Sequence, residues 1–293
     1  MKVAIYGQEY QETALEYILE LLEELQKERA VVRFESQFYD FLGGASALGN
    51  YETFTHEGGL DNTFDLFVSF GGDGTILRAI TYIRDLGIPI VGVNTGRLGF
   101  LSTFKKEEVR RVVTEFNAGA YELVERSLLA VYSDFEIPEF GNMNFALNEV
   151  SVSRKDTTSM ITIETHLNGE YLTSYWADGL IVATPTGSTG YSLSCGGPVI
   201  TPTAQSLVIT PIAPHNLNAR PLVISDDTEI RLRVSGREEH HLLSLDSRLA
   251  TIENGKELTI KKADFKIRMV EYTSESFLKT LRNKLLWGED RRN

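Results

Sequence analysis

Cysteine is almost absent. Cys195 is the one thiol in 293 residues, so no intrachain disulfide can form, and the chain suits a reducing compartment. Long apolar runs are missing too, and none approaches the roughly 20 residues of a membrane-spanning helix. The opening MKVAIYGQEY lacks the apolar core of a signal peptide, so a cytoplasmic protein with no membrane contact is expected. Positive charge is in deficit, with 29 Lys and Arg against 41 Asp and Glu and a formal net charge of -12. That balance excludes a sequence-independent nucleic-acid binder, which needs a basic surface. Small anions stay open as ligands, because backbone N–H groups and a metal ion can hold them whatever the total charge. Histidine is scarce at five. No His/Cys spacing fits a zinc site, so no metal held by protein side chains is expected. His240 and His241 are adjacent. In a strand they face opposite ways, and solvated surface is the expectation for the pair.

What is present reads as a globular chain, 42% hydrophobic and 24% charged, long enough for one large domain or two ordinary ones. KVAIYG reads as a buried strand. Leu15, Ile18, Leu19, Leu22 and Leu25 follow at helical spacing. AVVRFE is a second strand, and the small-residue stretch from Asp40 to Asn62 is expected to be an irregular loop. FDLFVSF and IPIVGVN are strands, TILRAITYIRDLG a helix between them, and KKEEVRRVVTEFNAG an amphipathic helix. Alternating strands and helices imply an α/β domain over 1–126, built on a parallel sheet. After about Ser127 short alternating runs take over, among them LLAVYS, MITIETHL and FKIRMVEY. An all-β second domain of packed sheets is expected over 127–273, with hairpin turns at Asn168-Gly169 and Asn254-Gly255. Phe277, Leu281 and Leu285 restore helical spacing in 274–293, a helix expected to dock on the first domain.

The stretch FVSFGGDGTIL is the first to suggest chemistry. An Asp-Gly pair is commonly a hairpin turn, but Ile76, Leu77, Ile80 and Ile83 follow at helical spacing. The context is therefore strand, glycine turn, helix, which in a parallel sheet lies at the ligand-binding carboxyl edge. Gly71, Gly72 and Gly74 let the backbone approach a phosphate, and Thr75 adds a hydroxyl. Asp73 is out of place beside an anion unless it binds a metal or takes a proton from an attacking hydroxyl. The plainer reading is that it caps the helix. No Gly-Lys-Ser/Thr follows, so this is not a P-loop.

Three further stretches add weight. VGVNTGRLGFL places Asn94, Gly96 and Gly99 at the end of another strand. ALNEVSVSR carries Asn148 and Glu149, an amide and a carboxylate able to grip an adenine edge and ribose hydroxyls. ADGLIVATPTGSTGYSLSCGGPVI crowds Thr184, Thr186, Ser188, Thr189, Tyr191, Ser192 and Ser194 between glycines, which suits a sugar, adenine or phosphate ligand. Thr186 stands where the first glycine of a G-x-S-x-G nucleophile elbow belongs, so no serine hydrolase is indicated.

In this order, GGDGT, N-x-G-x-L-G-F, Asn-Glu and D-G-x-x-x-x-T-P-T-G-S-T-x-Y resemble the NAD kinase family, with P-H-x-L-x-x-R-P completing the set at Pro214–Pro221. The matched region, from about Gly71 to Pro221, is roughly half the chain. GGDGT alone is shared with lipid kinases and phosphofructokinases, whereas the long hydroxyl-rich stretch and N-x-G-x-L-G-F single out NAD kinases. The resemblance implies transfer of the ATP γ-phosphoryl group to the adenosine-ribose 2′-hydroxyl of NAD, giving NADP, with Mg²⁺ or another divalent cation accompanying ATP. It implies Asp73 as general base, Gly71, Gly72 and Thr75 as phosphate contacts, and Gly74 and Arg78 as further substrate contacts. Asn148 and Glu149 would bind the adenosine half of NAD. Asp178, Thr189, Gly190, Tyr191, Ser192, Ser194 and Ala213 would line the NAD pocket, some reaching it from a neighbouring subunit of a homodimer or homotetramer. One departure stands out. Asp246-Ser247 replaces the Asp-Gly of many members, so no ligand contact is expected from Asp246.

Overall fold

The structure, a computed structural model, describes residues 1–8, 12–96, 99–102, 104–155, 159–272 and 276–286. The chain divides into two compact units, Met1–Glu125 with Ile267–Asn293, and Arg126–Lys266.

The first unit opens with β1 (Lys2–Gly7), α1 (Glu12–Lys27), β2 (Val31–Glu35), α2 (Ser36–Phe41), α3 (Gly44–Leu48) and β3 (Glu52–Phe54). It continues with β4 (Leu66–Phe70), α4 (Asp73–Ile83), β5 (Ile90–Asn94), β6 (Phe104–Lys105) and α5 (Val109–Asn117). The strands lie in the order β3-β2-β1-β4-β5-β6, each parallel to its neighbour. β4 and β5 are buried along their whole length, which is why they read as unbroken apolar runs. Ile18, Leu21 and Leu25 of α1 share a core with Val109, Val112 and Val113 of α5. Across that contact Arg110 pairs with Glu20, Glu23 and Glu24. The strand order changes direction between β1 and β4. In open α/β sheets, ligands bind in the crevice beyond the carboxyl ends of such a pair.

The stretch Asp40–Asn62 is not the irregular loop expected. α2 ends within it, α3 follows, and β3 extends the parallel sheet with Phe34 beside Thr53. Phe54 is buried against the rings of Phe67 and Tyr82. The Tyr39 hydroxyl donates to the Gly49 carbonyl at 2.6 Å and closes the two short helices together. Elements this short show no apolar period, so composition dominated the reading.

The second unit receives the chain through β7 (Tyr121–Tyr132). There follow β8 (Phe145–Ala146), β9 (Glu149–Arg154), β10 (Ile161–Leu167), β11 (Glu170–Ala177), β12 (Gly179–Ala183) and α6 (Tyr191–Ser194). Next come β13 (Ser206–Ile212), β14 (Leu222–Ser225), β15 (Ile230–Ser235), β16 (His240–Leu245) and β17 (Arg248–Glu253). β18 (Glu257–Tyr272) begins here and ends in the first unit, where Met269 lies beside Ile90. One antiparallel sheet runs β11-β10-β15-β18, the other β14-β13-β12-β9-β16-β17. Ile163, Leu232 and Ile260 of the first meet Val152, Val182 and Leu243 of the second in one core. The α/β unit and the packed β-sheets are the fold class expected.

Asn168-Gly169, with φ of 50 and 84, closes the β10–β11 hairpin. Asn254-Gly255 does not close one, because β17 and β18 lie in different sheets. Its Asn254 amide instead bonds the N–H and carbonyl of Gly236. The same amide corrects the histidine pair. His240 is exposed, but His241 is fully buried with Nε2 3.2 Å from Asn254 Oδ1. The closing helix α7 (Phe277–Leu285) belongs to the first unit, where the Phe277 and Phe100 rings lie 6.4 Å apart. Trp287 and the residues after it are outside the described set. Among the described residues no helix is long and apolar enough to cross a membrane.

Candidate active site

β4 delivers the chain to Gly71, whose φ of 145 excludes a side chain, and a Cβ there would also strike Thr75. Gly72 then takes the N-cap position of α4 with no side chain to block its mouth. Gly71, Gly72, Gly74 and Thr75, with Gln8 and Thr95, line a cleft of about 260 Å³. These residues follow β1, β4 and β5, so the cleft sits at the switch point of the sheet. The first-turn N–H groups and the dipole of an 11-residue helix favour an anion there.

Asp73 is not the cap. It occupies the first turn of α4, and its carboxylate crosses to the segment after β5. Oδ2 accepts the Phe100 N–H at 2.7 Å, and Oδ1 accepts those of Leu101 and Ser102 at 3.0 Å each. The Ser102 hydroxyl donates back to the Gly71 carbonyl at 2.8 Å. A Cβ on Gly99 would fall on the Asp73 carboxylate, so only glycine permits this approach. The GGDGT and N-x-G-x-L-G-F motifs are therefore one structure, although Arg97 and Leu98 lie outside the described residues. Asn94 serves the same turn by accepting the Gly96 N–H at 2.7 Å. A carboxylate offers about four acceptor positions. Three of those on Asp73 are filled by backbone, which leaves room for one more donor.

Arg78 is exposed one turn along α4. The Gln8 amide oxygen, in the orientation that satisfies both partners, accepts from its Nη1 at 2.5 Å and Nε at 3.0 Å. Gln8 was not singled out from sequence. The available signal was its place directly after β1, on one side of the switch point.

In the second unit Asn148 and Glu149 stand at the start of β9. The Asn148 carbonyl accepts the Thr184 N–H at 2.9 Å, and the Thr184 hydroxyl donates to the Leu147 carbonyl at 2.6 Å. Gly187 lies so close to the Asn148 backbone that a Cβ would overlap it. Asp246 accepts the N–H groups of Leu147, Asn148 and Glu149 at 2.9, 2.8 and 3.2 Å. It thus grips the backbone of the Asn148-Glu149 pair, a contact not expected from sequence. Burial, then the neighbouring Asp246, pushes the Glu149 carboxyl up to about 8, against the opposing pull of the Tyr191 N–H. Its Oε2 is buried with no hydrogen-bond partner.

The hydroxyl-rich stretch divides in two. Thr184, Ser188 and Ser192 are fully buried and spend their hydroxyls on the protein. Ser188 is 2.9 Å from the Ile200 N–H, and Ser192 is 2.9 Å from Thr210 Oγ1. The expected hydroxyl-lined pocket is to that extent a pinned loop. Thr189 and Gly190 are half-buried, while Tyr191 and Ser194 are exposed. Asp178 breaks β11 from β12, pairs with Arg154 at 3.0 Å, and donates its N–H to Ile212 at 3.0 Å. Ala213 follows with φ of 43 and an exposed side chain. The first unit thus gathers Gly71, Gly72, Asp73, Gly74, Thr75 and Arg78, and the second gathers the rest.

A parallel sheet of this order with a glycine turn opening a helix at its switch point is the arrangement of a nucleotide-binding α/β protein. The ATP-NAD kinase N-terminal domain matches residues 3–121, and the ATP-NAD kinase C-terminal domain residues 147–272. The NAD kinase of Flavobacterium psychrophilum is 56% identical over 294 residues, covering 100% of both chains. An NAD kinase from Archaeoglobus fulgidus, solved in complex with ATP, is 26% identical with a TM-score of 0.76 over 98% of this chain and 99% of its own. Yeast NADH kinase complexed with NADH shares the fold, with a TM-score of 0.86 at 24% identity over 99% of this chain and 88% of its own. The chain belongs to the ATP-NAD kinase family, and is accordingly a kinase that binds nucleotides.

Proposed function

We propose that this chain transfers the γ-phosphoryl group of ATP to the 2′-hydroxyl of the adenosine ribose of NAD, forming NADP and ADP. The observation that carries the reading is Asp73, set within the glycine turn, with three of a carboxylate's roughly four acceptor positions filled by the N–H groups of 100–102. The remaining position receives the proton of the 2′-hydroxyl as its oxygen bonds to the γ-phosphorus and the bond to ADP breaks. A positioned base of this kind contributes about 10²–10⁴-fold. Gly72 and Gly74 hold the phosphates through N–H groups and Thr75 through its hydroxyl, while the Gly71 and Thr75 N–H groups donate to the Val93 and Gly72 carbonyls and so fix the turn that presents them. Arg78, braced by Gln8, supplies the fixed positive charge. Mg²⁺ would be carried by the ATP phosphates and water, since the one carboxylate of the turn is taken up by the N–H groups of 100–102 and by the substrate proton. Among the described residues no group of three or more His, Cys, Asp and Glu could cage an ion. When bound, the ion neutralises phosphate charge as the transferred group moves.

On the acceptor side Asn148 and Glu149 hold the adenosine half of NAD. Asp178, Thr189, Gly190, Tyr191, Ser194 and Ala213 line its pocket, and Ser192 supports it by pinning α6. Residues 1–126 serve as the nucleotide-binding domain, 127–273 as the NAD-binding domain, and 274–293 close on the former. The enzyme works in the cytoplasm as a homodimer or homotetramer. The family supports that assembly, and the lone Cys195 agrees with the compartment.

A coupled assay of NADP formation from NAD and Mg-ATP tests the reading, run on the wild type beside Asp73→Asn. The variant should keep NAD affinity and lose about 10²–10⁴-fold in kcat. An active Asp73→Asn would return Asp73 to a scaffold role. A folded wild type that binds NAD but forms no NADP would refute the reaction.

A further inference from the structure

Asp246 and Ser247 form the turn from β16 to β17, and Asp246 with Arg248, the first residue of β17, grips residues 143–149 at both kinds of backbone group. Asp246 takes the three N–H groups already described. Arg248 donates to the carbonyls of Met143 and Phe145, with its guanidinium 5.4 Å from the Phe145 ring centroid. The Asp246 N–H returns to the Glu149 carbonyl at 3.0 Å. Asp246 adopts φ of 55 to do this, a left-handed conformation uncommon outside glycine.

The two carboxyls are treated unequally. Burial pushes the Asp246 carboxyl above its ordinary range, but three N–H donors and the neighbouring Arg248 charge oppose that rise. Glu149 receives one N–H donor, from Tyr191, and its Oε2 is buried without a partner. Two neighbouring buried carboxyls resist ionising together, and the proton settles on the one with fewer donors.

We propose that Asp246 is a positioning residue for the nucleotide site: ionised and held by three N–H groups, it fixes the Asn148-Glu149 pair and leaves Glu149 a neutral carboxylic acid with an O–H to donate. The proposal rests on the reading that Glu149 binds NAD. A neutral carboxyl can donate to a ligand oxygen as well as accept from a ribose hydroxyl, whereas a carboxylate can only accept. The shift of Glu149 to about 8 agrees, with burial its first cause and Asp246 its second. Other titratable groups face Glu149 as well. The Tyr191 phenol and Cys195 thiol, from α6 and its end, are both held above their ordinary ranges by burial. Both therefore stay neutral where Glu149 titrates. Asp178 acts on Tyr191 and is paired with Arg154. Arg248 keeps its charge beside Asp246, although burial lowers it.

Calorimetric titration of the full chain with NAD, without ATP, from about pH 6.5 to about pH 9.5 tests this. In the wild type the affinity should hold to about pH 8 and then fall about tenfold per pH unit. Asp246→Asn removes the charge that keeps the proton on Glu149, so the fall should begin about one pH unit lower. Arg248→Lys, which loosens the same segment but keeps the charge, should weaken binding without moving that midpoint. Glu149→Gln is neutral at every pH and should abolish the fall. A protonated-carboxyl infrared band, present in the wild type at neutral pH and lost in Glu149→Gln, checks the assignment even if Asp246→Asn does not fold. A flat wild-type profile with binding intact, or affinity rising with pH, overturns the proposal alone. An unmoved midpoint in a folded Asp246→Asn overturns the role of Asp246. No NAD binding at any pH overturns the functional reading together with it.

Discussion

Gly99→Ala is the sharpest test of how the glycine turn after β4 and the turn after β5 are coupled through Asp73. The added methyl would coincide with the Asp73 carboxylate, and Gly99 is also tethered by its N–H to the Ser102 carbonyl at 3.3 Å. Neither group can yield without breaking bonds from the carboxylate to 100–102. Each is charge-assisted and worth about 1.5–3 kcal/mol. Rotation of the carboxylate saves some of them, so losing one or two costs about 2–5 kcal/mol. The base is also displaced by about 1 Å, and a shift of that size costs about 10²-fold in rate. Steady-state NADP formation gives kcat, calorimetry gives NAD affinity, and denaturant unfolding gives stability. The expected result is a kcat lower by about 10²-fold, lower stability, and NAD affinity close to the wild type. Gly58→Ala is the control, because nothing lies within 4 Å of a Cβ there. A Gly99→Ala variant within about threefold of wild-type kcat would refute the coupling of the two turns.

Two further substitutions probe the ligand-holding parts. Gly187→Ala drives a Cβ into the Asn148 main chain, which cannot rotate away. Overpacking of this kind costs about 1–3 kcal/mol of stability, so denaturant unfolding should register that loss and calorimetry a weaker NAD affinity, and neither changing would detach Asn148 from that loop. Gln8→Glu pairs Arg78 with a carboxylate and adds negative charge to the cleft of the glycine turn. The KM for Mg-ATP should rise about tenfold or more while that for NAD stays put, and an unchanged ATP KM would remove Gln8 and Arg78 from the phosphate side.

The legible features were local ones. β4 running into glycine and then into α4 announces itself within eleven residues, because burial on both faces forces an apolar run and a helix forces its own period. Asn168-Gly169 was readable for the same reason, since two residues suffice to set a hairpin. What escaped notice was set by distant partners. Asp73 reads as a cap from its neighbours, but the N–H groups that claim it lie 27 to 29 residues on. Asp246 meets its partners across 97 to 99 residues. His241 looks like surface until Asn254 arrives beside it from the next strand. The hydroxyls of 184–194 misled differently. Composition marks a polar loop, but only packing decides that Thr184, Ser188 and Ser192 bond the protein while Tyr191 and Ser194 remain outside.

The two units use the same device for opposite ends. In each, one aspartate gathers three consecutive backbone N–H groups and so fixes the segment that carries function: 100–102 by Asp73, 147–149 by Asp246. Three consecutive N–H groups aimed at one point would otherwise form an anion site, and an unoccupied one would compete with the intended ligand for phosphate. Filling it with a side-chain carboxylate satisfies those donors internally. In a chain of net charge -12, that leaves the glycine turn and Arg78 as the attractive part of the first unit. The difference lies in what the aspartate does with its remaining capacity. Asp73 stands in the first turn of α4, and the proposed reaction uses its remaining acceptor position for the substrate proton. Asp246 lies beside a second carboxyl, and its charge is, after burial, the second cause that raises Glu149. On these assignments Asp73→Asn lowers kcat about 10²–10⁴-fold at every pH and spares binding, whereas Asp246→Asn shifts the pH dependence of binding. That contrast separates a base from a scaffold with one pair of substitutions.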